Sequence, residues 1–436
     1  MSFLSGKNIP AEPDLLFDKS DSSAAHNQVY WGLRTYGPYD KDKPVIRLAL
    51  IYPMDKRNAV QGLIQGLNNG TPVIPGGMPR FFRCKLDIVK EFTTNTTAID
   101  EYEKVATSFI KSVNYKDVDT ILVYIPRTPK YSTNTPYYYL KSIFISHGFP
   151  TQMTTEYTFQ NLKWSYLNLA SAIFSKAGGI PWVLASEIKN TDMILGISVS
   201  NIVAYKRRAG GHPRFVGCAN VFDNYGKWMF FEGTAKLFEE DRSSRYDQLK
   251  ELIEGCVRKF EAIKKKLPKN IVIHYFKKFG RKEIEATKQI LNDIVGDYNL
   301  ACVSINSSHP YRLYDKSTSD GSFPRGSYVY LRNNECLLST TGETPIARLR
   351  MGTPRLLQIR LRFMNNNFLT MDDIVYQVFS LTKLNWATSM PMIREPVTLV
   401  FSREIAYLTA AMSEQEWRGV ATLEINPTLN SKPWFI

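Results

Sequence analysis

The apolar positions of this chain change period several times, and each change marks an element. Residues 45–53 form a nearly unbroken apolar run, as in a strand buried on both faces, and residues 59–68 follow with an amphipathic stretch. Residues 98–114 carry a helical period, 120–126 read as a central strand, and 136–147 and 162–177 read as helices. Strands alternating with helices predict an α/β domain with a doubly wound, Rossmann-like sheet, whose ligands bind beyond the carboxyl ends of its strands.

The pattern then shifts to three strand runs in succession, 193–202, 214–223 and 228–237, before a long helix over 242–266. A strand at 271–276, a helix at 282–295, a strand at 299–305 and extended runs at 326–340 and 354–363 come next. A helix at 371–386, a strand at 396–401 and a helix at 403–412 complete the series. Residues 1–40 have loop composition, with any disorder expected in about the first thirty of them. The expected organisation is therefore an amino-terminal segment (1–40), a first domain (41–184) and a second (185–436), without a repeat of 20 to 50 residues.

Composition narrows the class: 44% hydrophobic and 13% aromatic residues suit an ordinary folded protein with sizeable cores. A formal charge of +14 favours a polyanionic partner, nucleic acid before membrane surface. The five cysteines are scattered without a Cys-x-x-Cys spacing, and no two histidines stand four apart, which argues against structural zinc and a disulfide framework. The first residues lack a signal-peptide pattern and no apolar run approaches membrane-spanning length, so a cytoplasmic location is expected.

Tyr137, Lys141, Gln152 and Lys176 form the strongest candidate site. Tyr137 and Lys141 are four apart, on one face of a helical turn that follows the strand 120–126 by a single loop. Two ammonium groups, a phenol and an amide supply hydrogen-bond donors toward a single anion such as a phosphate.

With its neighbours, this site makes the chain resemble the prokaryotic Argonautes, in particular the short ones that keep only the MID and PIWI domains. The resemblance covers nearly the whole chain and rests on Gly-Leu-Arg-Thr-Tyr-Gly-Pro-Tyr (32–39), Asn-Thr-Pro-Tyr-Tyr-Tyr-Leu-Lys (134–141), Gly-Gly-Ile-Pro-Trp (178–182), Leu-Thr-Lys-Leu-Asn-Trp (381–386), Pro-Val-Thr-Leu-Val (396–400) and Pro-Trp-Phe-Ile (433–436). It implies that 41–184 is a MID domain and 185–436 an RNase H-like PIWI domain. It further implies that Tyr137, Lys141, Gln152 and Lys176 grip the 5′ phosphate of an RNA or DNA guide, with the carboxylate of Ile436 beneath. Asn168 is expected at the guide backbone. Some relatives hold a divalent ion at the guide end with a Gln one turn after the Asn, where this chain has Ala172; Mg²⁺ there could still use the Ile436 carboxylate.

Cutting members of that family hold two metal ions with four carboxylates. Here Ser198 stands where the first Asp is expected, and a neutral hydroxyl cannot offset two dications. Asp192, six strand residues away, is about 20 Å off at ~3.3 Å per residue. After His274 the second acid is replaced by Phe276 and Lys277, and after 396–401 the chain offers Ser-Arg-Glu, ending in Glu404. An inactive PIWI domain without a catalytic metal is the expectation; an active guide-directed nuclease with an unconventional acid set drawn from Asp192, Glu232 or Glu404 is the alternative. A scaffold that has lost guide binding is a third reading.

Lys206, Arg207, Arg208 and Arg214 flank the turn joining the first two strands of the second domain; Lys277, Lys278, Arg281 and Lys282 open a helix; and Arg348, Arg350, Arg355, Arg360 and Arg362 stud later extended runs. They are read as a groove for the guide and a complementary target strand, DNA in this reading, whereas Lys264–Lys266 are read as partners of a helix dipole. The resemblance also implies a separately encoded protein carrying a PAZ-analogue domain and an effector (sirtuin-type, TIR, nuclease or membrane protein) that acts in defence against invading DNA.

Overall fold

The computed structural model describes residues 5–128, 135–201, 215–233, 242–342, 353–390, 393–421 and 429–436. Lys206, Arg207, Arg208, Arg214, Arg348 and Arg350 lie outside the described residues.

The first domain is built on four parallel strands in the order Lys85–Thr94, Val45–Pro53, Thr120–Tyr124, Thr151–Thr154. Alternation along Val45–Pro53 sends Leu48, Leu50 and Tyr52 to one face, against Leu63, Leu67, Ile173 and Phe174. Ala49 and Ile51 go to the other, against Tyr102, Phe109, Leu140 and Phe144. Helices Arg57–Asn69 and Leu162–Lys176 thus cover one face, and Ile99–Ser112 and Pro136–Ser146 the other, which is the doubly wound arrangement expected. The connection reverses direction between Val45–Pro53 and Thr120–Tyr124, so the crevice beyond their carboxyl ends is the ligand position for such a sheet.

The second domain contains a nine-stranded sheet. Met193–Asn201, Phe215–Asp223 and Trp228–Gly233 pair antiparallel; Asn270–Tyr275 then joins Met193–Asn201 in parallel and Asn299–Asn306 joins Asn270–Tyr275 in parallel. This is the RNase H-like order expected. Leu357–Met364, Glu335–Leu338 and Ser327–Arg332 extend the sheet antiparallel. Helices Arg242–Lys264 and Arg281–Ile294 pack on one face, burying Ile253, Val257, Ile290 and Leu291. Met371–Leu381 and Val397–Ala411 pack on the other.

Several elements differ from the sequence expectation. Residues 396–401, expected as a strand, are the opening of the helix Val397–Ala411, with Pro396 at its N-cap. The helix backbone presses onto the sheet at Gly196, where an added Cβ would lie 2.0 Å from the Thr398 carbonyl oxygen. Tertiary packing here overrides a β-branched apolar run. The helix expected over 371–386 stops at Leu381, and Lys85–Thr94 is a strand the apolar pattern does not show because most of its side chains are exposed.

The loop-like composition near the amino end conceals an ordered segment. Gly6–Asn8 pairs with Ser327–Arg332 at the edge of the nine-stranded sheet, and Leu15–Leu16 pairs with both Val183–Leu184 and Ala25–His26. Phe17 is fully buried beneath Gly32 of the helix Val29–Tyr36. Glu12 forms ion pairs with the buried side chains of Arg325 and Lys383, tying this segment to the second domain. The five cysteines are free and buried. Among the described residues, no helix is long and apolar enough to cross a membrane.

Candidate nucleic-acid interface

The helix Pro136–Ser146 begins with proline at its first turn, where no backbone N–H is needed. It presents Tyr137 and Lys141 on one side, and the Lys141 ammonium lies 5.8 Å from the centroid of the Tyr137 ring. Gln152 comes from the strand Thr151–Thr154, next to Thr120–Tyr124 in the sheet. Lys176 closes the helix Leu162–Lys176, and its ammonium donates to Gln152 Oε1 at 2.5 Å. The amide of Gln152 is oriented by Nε2 donating to the Met153 carbonyl at 3.0 Å. All four residues expected to form the grip therefore line one region.

Burial sets its electrostatics. Lys141 is 2% exposed and Lys176 1%. Loss of hydration lowers the Lys141 pKa to about 8, against an opposing pull from Glu404. It lowers that of Lys176 well below the usual lysine range, and the charge of Lys141 lowers it further. Desolvation raises the Tyr137 phenol, with smaller contributions from Glu404 and Tyr138, so it remains a protonated donor. No ion pair with Lys141 or Lys176 within 4 Å occurs among the described residues.

The carboxyl-terminal residues reach Lys141 from the second domain. Lys141 donates to the Trp434 carbonyl at 3.2 Å. Trp434 is fully buried against Phe231 and Phe435, with centroids 5.5 and 5.4 Å away, and Phe435 packs on Phe401 at 5.1 Å. Ile436 packs half-buried on the same core.

Glu404 requires a correction. On the helix Val397–Ala411, Ser402 faces the sheet, donating to the Gly196 carbonyl at 2.7 Å. Two residues on, Glu404 is on another side, and its charge acts on Tyr137 and Lys141. It is a neighbour of the grip, because 396–401 is helical where a strand was expected. Asn168 also differs: its Oδ1 accepts from the Ser389 backbone N–H at 2.9 Å and hydroxyl at 3.1 Å, and its Nδ2 donates to the Trp164 carbonyl at 3.3 Å. It braces the 382–390 segment, and its polar atoms are already engaged.

Ser198 is buried, on a strand whose inner face carries neutral partners. Asn220 Nδ2 donates to Ser402 Oγ at 3.0 Å, and Asn220 Oδ1 accepts from Trp228 Nε1 at 2.8 Å. His274 lies opposite Gly196, with Nδ1 3.0 Å from Thr398 Oγ1 and Nε2 3.0 Å from Gln377 Oε1. Burial lowers its pKa to about 4, so the imidazole is neutral at pH 7. Asp192 accepts from the backbone N–H groups of Lys269 and Asn270 at the opposite end of the strand, and Glu232 pairs with Lys259 at 2.5 Å. Asp192, Glu232 and Glu404 therefore serve three separate places. Phe276 is 38% exposed, with the Lys277 ammonium 5.1 Å from its ring centroid. Lys264 and Lys266, expected to answer a helix dipole, form ion pairs with Asp223 and Asp192.

Sequence and fold comparisons bear on the family and the fold. A Piwi domain model matches residues 120–415. A protein argonaute of Aquifex aeolicus is 25% identical over 299 residues, 67% of this chain and 39% of its own length. A Piwi protein of Archaeoglobus fulgidus is 23% identical over 432 residues, 93% of each chain. Among solved structures, Clostridium butyricum Argonaute bound to a guide DNA and a 19-mer target DNA superposes with a TM-score of 0.73 at 19% identity, over 94% of this chain and 53% of that one. Drosophila Piwi does so at 0.70 and 14% identity, over 99% and 56%. The chain thus spans about half the length of those solved proteins and nearly all of the archaeal one. With more than half of its residues matched by the Piwi model, the chain belongs to the Piwi-domain family of Argonaute and Piwi proteins.

Proposed function

We propose that this chain holds the 5′-phosphorylated end of a guide strand in the grip of Tyr137, Lys141, Gln152 and Lys176, and presents the guide for base pairing with a complementary DNA target. In this reading the chain does not cut; the response comes from a separately encoded effector and serves defence against invading DNA. One observation carries the guide-binding reading: two lysines, each buried to 2% exposure or less, converge without an acid bonded to either among the described residues. Leaving an ammonium buried costs roughly several kcal/mol per ion unless an anion compensates. A phosphate is the anion that this set of donors suits.

The non-cutting reading rests on Ser198 at the position of the first carboxylate and on the separate engagements of Asp192, Glu232 and Glu404. At the grip two ammonium groups face the phosphate and Ala172 offers no oxygen, so a Mg²⁺ there would rest on the Ile436 carboxylate and the oxygens of the phosphate itself.

The test compares 5′-phosphorylated and 5′-hydroxyl oligonucleotides by fluorescence anisotropy, in EDTA and in Mg²⁺. Tighter binding of the phosphorylated strand in both buffers is expected. Lys141→Ala with Lys176→Ala should weaken it at least ~100-fold, since each charge-assisted hydrogen bond contributes about 1.5–3 kcal/mol. Equal affinity for both strands would refute the grip. A metal-dependent product from a guide-matched target in Mg²⁺ or Mn²⁺ would refute the non-cutting reading.

A further inference from the structure

The two lysines of the grip are not equivalent. Lys141 has the negative charge of Glu404 acting on it and the Trp434 carbonyl at 3.2 Å, so its ammonium is partly compensated. Lys176 is 1% exposed and donates to Gln152 Oε1 at 2.5 Å, and the charge that acts on it is the like charge of Lys141. The titratable groups around the pair are Tyr137 and Tyr138 on the helix Pro136–Ser146 and Glu404 on Val397–Ala411, while the strand Thr151–Thr154 brings the neutral Gln152. Of two buried amines in one region, the one repelled by the other and not attracted by the acid gives up its proton first. Lys176 is that one, and its pKa lies well below the usual lysine range.

Loss of that proton changes what the residue can do. An ammonium has no lone pair, whereas a neutral amine donates one hydrogen to Gln152 Oε1 and keeps a lone pair free as a nucleophile. Lys141 is then the cation of the pair, and Tyr137 remains a protonated phenol. A surface suited to a phosphate thus stands beside a nucleophile. The 5′ end of a strand brings a phosphate monoester whose next carbon is saturated and inert. An acyl phosphate brings the same terminal dianion, but its next carbon is a carbonyl.

We propose that the grip also takes small acyl phosphates and that Lys176 is acylated by them, which closes the site to a guide. The inference rests on the reading of the grip as a phosphate site. The lone pair of Lys176 Nζ attacks the carbonyl carbon and forms a C–N bond; the bond from that carbon to the bridging oxygen breaks, and its electron pair leaves with the phosphate. The phosphate takes the proton that the nitrogen sheds, so amine and acyl phosphate become amide and hydrogen phosphate. The amide carries no charge at any pH, and the acyl group adds bulk where the 5′ phosphate would sit.

The test incubates the whole chain, free of guide, with acetyl phosphate at about pH 8 and follows individual lysines by peptide mass spectrometry. Lys176 should gain an acetyl group at least about tenfold faster than the exposed Lys90 and Lys111. N-acetoxysuccinimide, an acyl donor without a phosphate, should reverse that order, because nothing delivers it to the grip. A 5′-phosphorylated oligonucleotide should protect Lys176 from acetyl phosphate, and its 5′-hydroxyl counterpart should not. The acetylated chain should bind the 5′-phosphorylated strand about ten- to hundredfold more weakly, the loss of one charge-assisted hydrogen bond. Lys176→Arg keeps a cation and removes the nucleophilic amine, so its binding should be indifferent to acetyl phosphate. Should that variant lose its thermal transition, the protection experiment on the unaltered chain takes its place.

Acetylation of Lys176 no faster than that of Lys90 and Lys111 would overturn the proposal, as would the same preference with N-acetoxysuccinimide, acetylation of Lys141 in its place, or an acetylated Lys176 with unchanged binding. A chain that prefers the 5′-phosphorylated strand but leaves Lys176 unmodified removes the acylation alone and leaves the grip. A chain without that preference whose Lys176 is still acetylated, and is protected by inorganic phosphate, keeps the acyl phosphate site and removes the guide. Loss of both the preference and the modification removes both readings.

Discussion

The ammonium of Lys141 donates to the backbone carbonyl of Trp434 at 3.2 Å, joining a helix of the first sheet to the carboxyl-terminal residues packed on the second. A carbonyl solvates the ammonium but does not neutralise it. Lys141 and the neighbouring Lys176 therefore remain destabilised as cations, with two measurable consequences for the grip.

With the Lys141 pKa lowered to about 8 and that of Lys176 also lowered by burial, the unfolded chain binds more protons than the folded one from about pH 8 up to the ordinary lysine range near 10.5. Stability of the guide-free protein contributed by this pair should therefore rise with pH through that window. A bound phosphate favours the charged lysines, so guide binding at pH 8.5 should take up protons and weaken as pH rises further. Calorimetry in two buffers of different ionisation enthalpy reads the uptake; proton release would contradict it.

Glu404 places a negative charge near a site read as binding a dianion. At pH 7, Glu404→Gln should tighten binding of a 5′-phosphorylated oligonucleotide by roughly two- to fivefold and leave a 5′-hydroxyl strand unaffected. Paired titrations at two salt concentrations decide this, and the gain should shrink at the higher one.

Gly196 is where the helix Val397–Ala411 touches the sheet backbone to backbone. A methyl group there would lie 2.0 Å from the Thr398 carbonyl oxygen, with no flexible side chain to give way. Gly196→Ala should destabilise the chain by at least about 1–3 kcal/mol through overpacking. Urea unfolding measures it, and a change below about 0.5 kcal/mol would mean that the helix is free to shift.

Glu12 serves two buried cations, Arg325 at 2.8 Å and Lys383 at 3.4 Å, while burial lowers the Lys383 pKa to about 8. Truncating a single member of a buried ionic cluster leaves the rest uncompensated, so Glu12→Ala should cost about 3–5 kcal/mol. Glu12→Ala combined with Lys383→Met should recover part of that loss. The double-mutant cycle, followed by chemical denaturation, tests the coupling.

How far this structure could be read in advance depended on how local each signal was. Buried strands such as Val45–Pro53 and Thr120–Tyr124 were legible because an apolar run states its own burial, and Tyr137, Lys141, Gln152 and Lys176 because their order and spacing form a pattern. Lys85–Thr94 was hidden by the charged residues of an edge strand, and the residues around Leu15 and Phe17 by turn-rich flanks. Glu404 was misplaced for a different reason. Its neighbours are set by which side of a helix it occupies, and that side depends on Gly196, far away in sequence. Asn168 carried no local sign that a backbone N–H from Ser389 would claim its oxygen.

The short strand Gly6–Asn8 contributes almost nothing to the core, yet it covers the outer hydrogen-bonding edge of Ser327–Arg332. A bare strand edge is a template for pairing with another chain. Trimming those few residues would therefore be felt in solubility before it was felt in stability. Preparations cleaved near the amino end would be expected to self-associate while the grip, in the other sheet, remained intact.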